Sequence, residues 1–142
     1  MGTEDFEREL DRTNQYIGRM NVLANSIDLM LDVILEKLNI PPPKMLGRKI
    51  NTFEKCEQLL ERDYNENIDN LVSKLNKFNE TWIITKHGMV IGGSEYITIY
   101  KDGYNHIFDP KKQSQIDQEF STIMADLVRI SKFDFEKYNI IR

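Results

Sequence analysis

Residues 78–93 read FNETWIITKHGMVIGG, and the side-chain period changes within this stretch. Up to His87 the apolar residues recur every three or four positions, which indicates a helix that ends near Gly88. A Gly-Gly pair then leads into residues 95–108, EYITIYKDGYNHIF, which are rich in β-branched and aromatic side chains around an Asp-Gly turn. This composition predicts a β-hairpin shortly after the helix.

Three further helices are predicted, at about residues 4–38, 44–64 and 110–130. The prolines at 41–43 end the first because they lack a backbone donor, residues 65–67 separate the second from the third, and Asp109-Pro110 starts the fourth. Apolar residues form one seam along the first helix, namely Leu10, Ile17, Met20, Ala24, Ile27, Leu31, Ile34 and Leu38. The fold prediction is a single all-α domain, residues 1–142: a four-helix bundle with a small β-hairpin between helices 3 and 4.

The composition is that of an ordinary globular protein, with 142 residues, 40% hydrophobic, 30% charged and a formal net charge of −4. An acidic total argues against a general nucleic-acid coat protein, which carries a basic excess. Cys56 is alone, so no intrachain disulfide is expected, and a reducing cytoplasm is the expected location. Neither a signal peptide nor an apolar run near the ~20 residues of a membrane span is visible, so we expect no membrane association.

His87 is the candidate catalytic residue, because imidazole is the side chain best suited to proton transfer near neutral pH. A structural role explains the same residue. Basic side chains are favoured at the C-terminal end of a helix, and Gly88 suits the left-handed conformation that closes one. The structural role is the favoured interpretation. One cysteine and two histidines on separate elements do not make a zinc site, so we expect neither a metal nor a cofactor.

Positive charge is concentrated in two segments in spite of the acidic total. Residues 41–55 carry four basic side chains, Arg48 and Lys49 among them, against one acidic one, and the third helix carries Lys74, Lys77 and Lys86. If these segments converge in the fold, they form a surface for a phosphate backbone. The alternative is a solvated helix face, which is the more usual role of such residues.

The order of elements and three short motifs resemble the HEPN superfamily (higher eukaryotes and prokaryotes nucleotide-binding). The motifs are LGRKI at residues 46–50, LNKFN at 75–79, and His87-Gly88 at the end of the third helix. The resemblance covers about residues 21–130. It implies a helical bundle that forms a homodimer and acts in a bacterial toxin–antitoxin, abortive-infection or related defence system.

The catalytic motif of the family is incomplete in this chain. Its ribonuclease members use an arginine separated from the histidine by four to six residues, and here Trp82, Thr81 and Glu80 occupy those places relative to His87. An arginine in such a site stabilises phosphate charge in the transition state, which tryptophan cannot do. The resemblance therefore implies a non-catalytic interaction or regulatory protein that binds protein or RNA.

Two alternatives stay open: a metal-independent RNase that uses His87, and a stand-alone immunity or antitoxin protein whose acidic balance suits a basic toxin. The aromatic tail, residues 133–141, is a candidate docking segment for the bundle or for a partner. The candidate contacts with RNA or a protein partner are Lys86, Asn79, Arg48 and Lys49.

Overall fold

The computed structural model describes residues 3–56, 62–92 and 96–133. Within these ranges the chain forms four α-helices and one three-stranded antiparallel sheet. The mainly helical fold and the four predicted helices are therefore confirmed, but the molecule is not a pure four-helix bundle. In chain order the elements are α1 (Thr3–Lys37), α2 (Leu46–Cys56), α3 (Arg62–His87), β1 (Met89–Gly92), β2 (Ile97–Lys101), β3 (Tyr104–Phe108) and α4 (Pro110–Ser131).

Helix α1 ends through a local backbone motif that precedes the prolines. Asn39 has a left-handed φ of 57°, and the Ile40 amide donates to the Leu35 carbonyl at 2.9 Å. These bonds satisfy carbonyls that the last helical turn would leave free, and asparagine tolerates the left-handed conformation better than most residues do. The helix therefore ends at Lys37, and the prolines at 41–43 only prevent its continuation.

The boundary between the second and third helices differs from the prediction. α2 ends at Cys56 and α3 begins at Arg62, so residues 65–67, which were expected to be a break, are helical. Residues 57–61 lie outside the described ranges. Asparagine favours turns by its local preference. In the interior of a 26-residue helix, however, every backbone N–H and C=O group is hydrogen-bonded, and this outweighs the local preference.

A third strand joins the predicted hairpin. β2 pairs with β3 across the Asp102-Gly103 turn, whose residues have φ values of 54° and 85°. This confirms the turn. β1 pairs with the other edge of β2, where Val90 lies opposite Ile99, and it was missed because four residues are too few to show an alternating pattern. Pairing with β2 is what makes this short segment a strand.

Gly88 joins α3 to β1. Its backbone does not adopt the predicted left-handed conformation; among the described glycines, Gly103 does. A Cβ atom at Gly88 would lie 2.2 Å from Ile99 Cγ2 and 2.5 Å from the Ile84 carbonyl oxygen. Glycine is required here because β2 passes directly over the end of α3. The predicted left-handed helix cap at this position is wrong.

The hydrophobic core lies between the four helices and the inner face of the sheet. Tyr16 of α1 packs on Phe108 of β3 with 5.1 Å between ring centroids, and its hydroxyl pairs with Thr85 Oγ1 of α3 at 3.0 Å. Burial raises the pKa of Tyr16 to about 12, although the hydrogen bond with Thr85 acts in the opposite direction. The largest fully buried side chains include Phe53, Phe108, Met20, Ile27, Leu31, Ile34, Leu35, Ile68, Leu71 and Leu75.

Helices α1 and α4 run in parallel. Near one end, Arg19 Nε donates to Asp117 Oδ1 at 2.8 Å, and near the other, Lys37 Nζ donates to the Ser131 carbonyl. The latter contact places a cation on the carbonyl end of α4, where the helix dipole favours it. This pairing holds α4 against the C-terminal two thirds of α1.

The first turns of α1 extend beyond the start of α4, which lies near Arg12. Leu10 was expected to belong to the buried seam, yet it is 48% exposed. The predicted seam lies on the correct face of α1, but the other helices do not extend far enough to cover Leu10. At the opposite end of the chain Phe133 packs under the guanidinium of Arg129, 5.7 Å from its ring centroid, and the rest of the predicted aromatic tail lies outside the described residues.

Candidate functional site

A groove of about 630 Å³ opens between α1, α2 and α3. We call it the α1–α2–α3 groove. Its walls are the middle of α1, the segment that enters α2 with the first turns of that helix, and the second half of α3. The basic and amide side chains that line it are Lys44, Arg48, Lys86 and His87, with Asn25, Asn51, Asn76 and Asn79.

The α3 wall follows from helical spacing. Asn76, Asn79, Ile83 and Lys86 recur in steps of three, four and three, so they share one face of the helix. The neighbouring face, about 100° around the helix, carries the buried stripe that packs into the core, with Leu75 and Phe78 among its members. His87 is the last residue of α3 and lies at the end of the same wall.

Helix α2 approaches this wall through Gly47. A Cβ atom at Gly47 would lie 3.2 Å from Asn79 Nδ2, which is tighter than most side-chain contacts. The glycine therefore lets the first turn of α2 come close to α3 and brings Arg48 to the groove. The neighbour that Gly47 approaches is thus a side chain of α3.

Four of the five candidate residues line this one groove. Arg48, Asn79, Lys86 and His87 all border it although 39 positions separate the first from the last in the chain. Lys49 does not border it. Asn25, Asn51 and Asn76 also line the groove and had not been assigned to a site, because an isolated asparagine in a sequence carries no functional signal without the fold.

Lys49 is only 4% exposed and connects α2 to α1. Its Nζ lies 2.8 Å from Asp28 Oδ2 and 2.7 Å from Asp32 Oδ1. Burial alone would lower the pKa of Lys49, but the contacts with the two carboxylates outweigh burial and raise it. Lys49 is thus held by carboxylates within the protein, and we do not include it among the proposed ligand contacts.

The groove is more positive than the protein as a whole. Lys44, Arg48 and Lys86 contribute three cations, and Asp28 is the one acidic residue among its lining residues. The Asp28 carboxylate is already paired with Lys49. A groove of this kind attracts anions even in a chain whose formal net charge is −4, because local charge and not the total sets the local potential.

Trp82 also borders the groove, half-buried and packed against the core. Its contact with the core cluster gives Trp82 a structural role. Its second role as groove wall gives the site an aromatic surface beside four amides. Such a combination can hold an anionic group, form hydrogen bonds to planar polar edges and accept a flat ring.

The remaining reactive side chains lie elsewhere. Cys56 is buried, and burial raises the pKa of its thiol, which disfavours the reactive thiolate. His106 is a half-buried residue of β3 opposite Ile99. Among the residues that the structure describes, no group of three or more His, Cys, Asp or Glu side chains is placed to bind a metal. None of the described helices is both long and apolar enough to cross a membrane.

Comparisons of the chain with protein-family models, with curated proteins and with solved structures find no match.

Proposed function

We propose that this protein is a non-catalytic, HEPN-like regulatory component of a bacterial defence or stress system, and that its α1–α2–α3 groove binds single-stranded RNA. The observation that carries the proposal is the convergence of Lys44, Arg48 and Lys86 with four asparagines in one groove. Cations bind phosphates without regard to sequence, and amides read the edges of unpaired bases.

Single-stranded RNA fits the groove better than a duplex does. The volume of about 630 Å³ is that of a small-molecule pocket and accommodates one or two nucleotides. Trp82 offers a surface on which an unstacked base can lie, and base–aromatic stacking contributes about 1–3 kcal/mol per base. A duplex would present only its outer phosphates and leave the amides unused.

The non-catalytic assignment rests on position 82. The family resemblance places the phosphate-binding arginine of active members at or next to this residue, which here is a tryptophan that packs against the core. A homodimer and a role in a defence system are also part of the proposal, and both come from the resemblance. Sedimentation velocity tests the dimer directly, because it separates the chain mass from twice that mass.

Fluorescence anisotropy with a labelled 12-nucleotide single-stranded RNA tests the proposed ligand. We expect saturable binding at low salt, weaker binding of the corresponding duplex, and about a tenfold loss of affinity for Arg48→Gln or Lys86→Gln, the size of one charged hydrogen bond. Lys55→Gln is the control, since Lys55 is an exposed lysine of α2 that does not border the groove. Equal affinity of all variants, or no binding by the wild type, contradicts the proposal.

An active RNase is the second candidate, because His87, Lys86 and Arg48 border the same groove. In this reaction His87 accepts the proton of a 2′-hydroxyl as that oxygen attacks the neighbouring phosphorus, and the bond to the 5′-oxygen breaks as that oxygen takes up a proton from water. The products are a 2′,3′-cyclic phosphate and a 5′-hydroxyl. Cleavage by the wild type that is lost in His87→Ala and in a 2′-deoxy substrate supports this candidate; no cleavage by the wild type removes it.

A further inference from the structure

A second concave site lies on the opposite flank of α1. This cavity of about 400 Å³, which we call the α1–α4 cavity, is formed by α1, the start of β2 and the first turns of α4. Its polar lining comprises Arg12, Gln15 and Arg19 from α1 and Gln113, Ser114 and Asp117 from α4. No lining residue is shared with the α1–α2–α3 groove.

The two arginines differ in their partners. Arg19 donates through Nε to Asp117 Oδ1 at 2.8 Å, which fixes the guanidinium and leaves the donors of its two terminal nitrogens without a partner in the described part of the chain. Arg12 forms neither an ion pair nor a hydrogen bond with any residue that the structure describes. A guanidinium fork presents two parallel donors, a geometry that matches the two oxygens of a carboxylate.

The charge of the cavity selects the kind of anion. Arg12 and Arg19 contribute two positive charges and Asp117 one negative charge, so the lining carries a formal charge of about +1 at neutral pH. A monoanion such as a carboxylate balances this charge, whereas a phosphate monoester with a charge of about −1.5 to −2 exceeds it.

The start of α4 offers side chains to a ligand in this cavity but few free backbone N–H donors. Pro110 has no amide hydrogen, and the amides of Lys112 and Gln113 already donate to Asp109. The positive end of the helix is therefore largely satisfied by its own cap. Anion binding in this cavity depends on the arginines, which makes it testable by single substitutions.

The other walls of the cavity are apolar. Ile97 is buried and Tyr96 is 43% exposed at the rim. Tyr16 supplies a ring whose hydroxyl is already engaged by Thr85. A ligand that fills about 400 Å³ between these walls needs an organic part as well as a charged group.

We propose that the α1–α4 cavity binds a small organic carboxylate, whose oxygens are held by Arg12 and Arg19 and whose apolar part lies against Tyr96 and Ile97. Gln15 and Ser114 provide further hydrogen bonds to polar substituents, and Gln113, whose Nε2 already donates to the Phe108 carbonyl at 2.9 Å, offers its Oε1 as an acceptor. Occupancy links α1 to the start of β2 beside the Arg19–Asp117 pair. The proposal does not depend on RNA binding in the other groove.

Two-dimensional NMR of the full chain tests the proposal with four related probes. Benzoate carries the complete chemistry, acetate lacks the ring, benzamide lacks the charge and phenyl phosphate carries the larger charge. We expect benzoate to shift the side-chain amide signals of Gln15 and Gln113 in a saturable way, and the other three probes to bind more weakly. No saturable shift with benzoate, equal binding of benzamide, or tighter binding of phenyl phosphate overturns the carboxylate assignment.

Variants then identify the contacts. Arg12→Gln removes an exposed arginine that has no partner among the described residues, so the fold is retained, and we expect about a tenfold loss of benzoate affinity. Arg8→Gln, one turn earlier on α1 and outside the cavity lining, is the matched control and keeps wild-type affinity. Lys86→Gln in the other groove also leaves benzoate binding unchanged. Equal losses in Arg8→Gln and Arg12→Gln overturn the proposed contact.

Discussion

The Nζ atom of Lys49 lies 2.8 Å from Oδ2 of Asp28, and this contact joins α2 to α1 beside the α1–α2–α3 groove. The same nitrogen lies 2.7 Å from Asp32 Oδ1. That oxygen is buried and has no hydrogen-bond partner of adequate geometry among the described residues, so it depends on the charge of Lys49. One ammonium group is thus shared by two carboxylates.

Replacing Lys49 with methionine is expected to destabilise the protein by about 2 kcal/mol. Removal of one partner from a buried pair costs about 3–5 kcal/mol, and the value here is lower because Asp28 and Asp32 are 34% and 29% exposed. Urea denaturation measures the change. Lys55→Met, an exposed position on the same helix, should alter stability by no more than about 0.5 kcal/mol. Equal effects of the two substitutions would show that the ion pairs contribute nothing.

Substitution of Gly88 and of Gly18 with alanine should have opposite effects. At Gly88 the new methyl group meets Ile99 Cγ2 at 2.2 Å, and such overpacking costs about 1–3 kcal/mol. At Gly18, an exposed position within α1, nothing lies within 4 Å of the new atom, and alanine should stabilise the helix by about 0.8–1 kcal/mol. Thermal unfolding distinguishes the two. A neutral Gly88→Ala would mean that β2 does not pass closely over the end of α3.

Stability should fall at alkaline pH in a way that depends on Tyr16. Burial raises its pKa to about 12 in the folded chain, whereas an unfolded tyrosine ionises near pH 10. Between these values the unfolded state binds fewer protons than the folded state, so folding stability decreases as pH rises from about 10 to about 12. At pH 11 the loss due to Tyr16 amounts to about 1.4 kcal/mol.

The matched variant for this titration is Tyr16→Phe, which keeps the ring on Phe108 and removes the ionisable group. The decrease in unfolding free energy between pH 9 and pH 11 should be smaller in the variant than in the wild type, measured by urea denaturation at each pH. Because other tyrosines and lysines titrate in both proteins, only the difference between the two curves is interpreted. Parallel curves would contradict the buried state of the phenol.

Salt dependence tests whether the groove cations contact phosphates. Each phosphate contact to a single strand contributes about −0.7 to the slope of log K against log salt concentration. Lys86→Gln should therefore make the slope for single-stranded RNA shallower by about 0.7, and Lys55→Gln should leave it unchanged. A weaker Lys86→Gln complex with an unaltered slope would indicate that Lys86 supports the groove without contacting a phosphate.

The buried face of a helix and the positions of turns and caps were predictable, because they depend on residues that are close in sequence. The seam of α1, the Asp102-Gly103 turn and the Asp109 N-cap, whose carboxylate accepts from the Lys112 amide at 2.7 Å, are all present. The errors occur where distant segments decide. Residues 65–67 are helical in spite of their turn preference, and β1 forms a strand because β2 is available to pair with it.

The same division applies to the candidate site. The residue types of Arg48, Asn79, Lys86 and His87 could be selected from the sequence, through charge, the histidine count and the family resemblance. Their placement around one groove comes from the antiparallel packing of α1 and α3 and from the close approach of α2 at Gly47. The α1–α4 cavity had no sequence signal at all, because its two arginines are ordinary surface residues until α4 lies beside α1.

Lys49 shows most clearly what the sequence determined and what the tertiary structure decided. The sequence by itself determined that residues 48 and 49 are cations at the start of a helix, and both were equal candidates for contact with a ligand. Adjacent positions on a helix point about 100° apart, so only tertiary packing decides which of them faces a partner helix. Here packing directs Lys49 to Asp28 and Asp32 and leaves Arg48 at the groove. A buried ammonium is stable only beside carboxylates, whereas an exposed guanidinium needs no such partner.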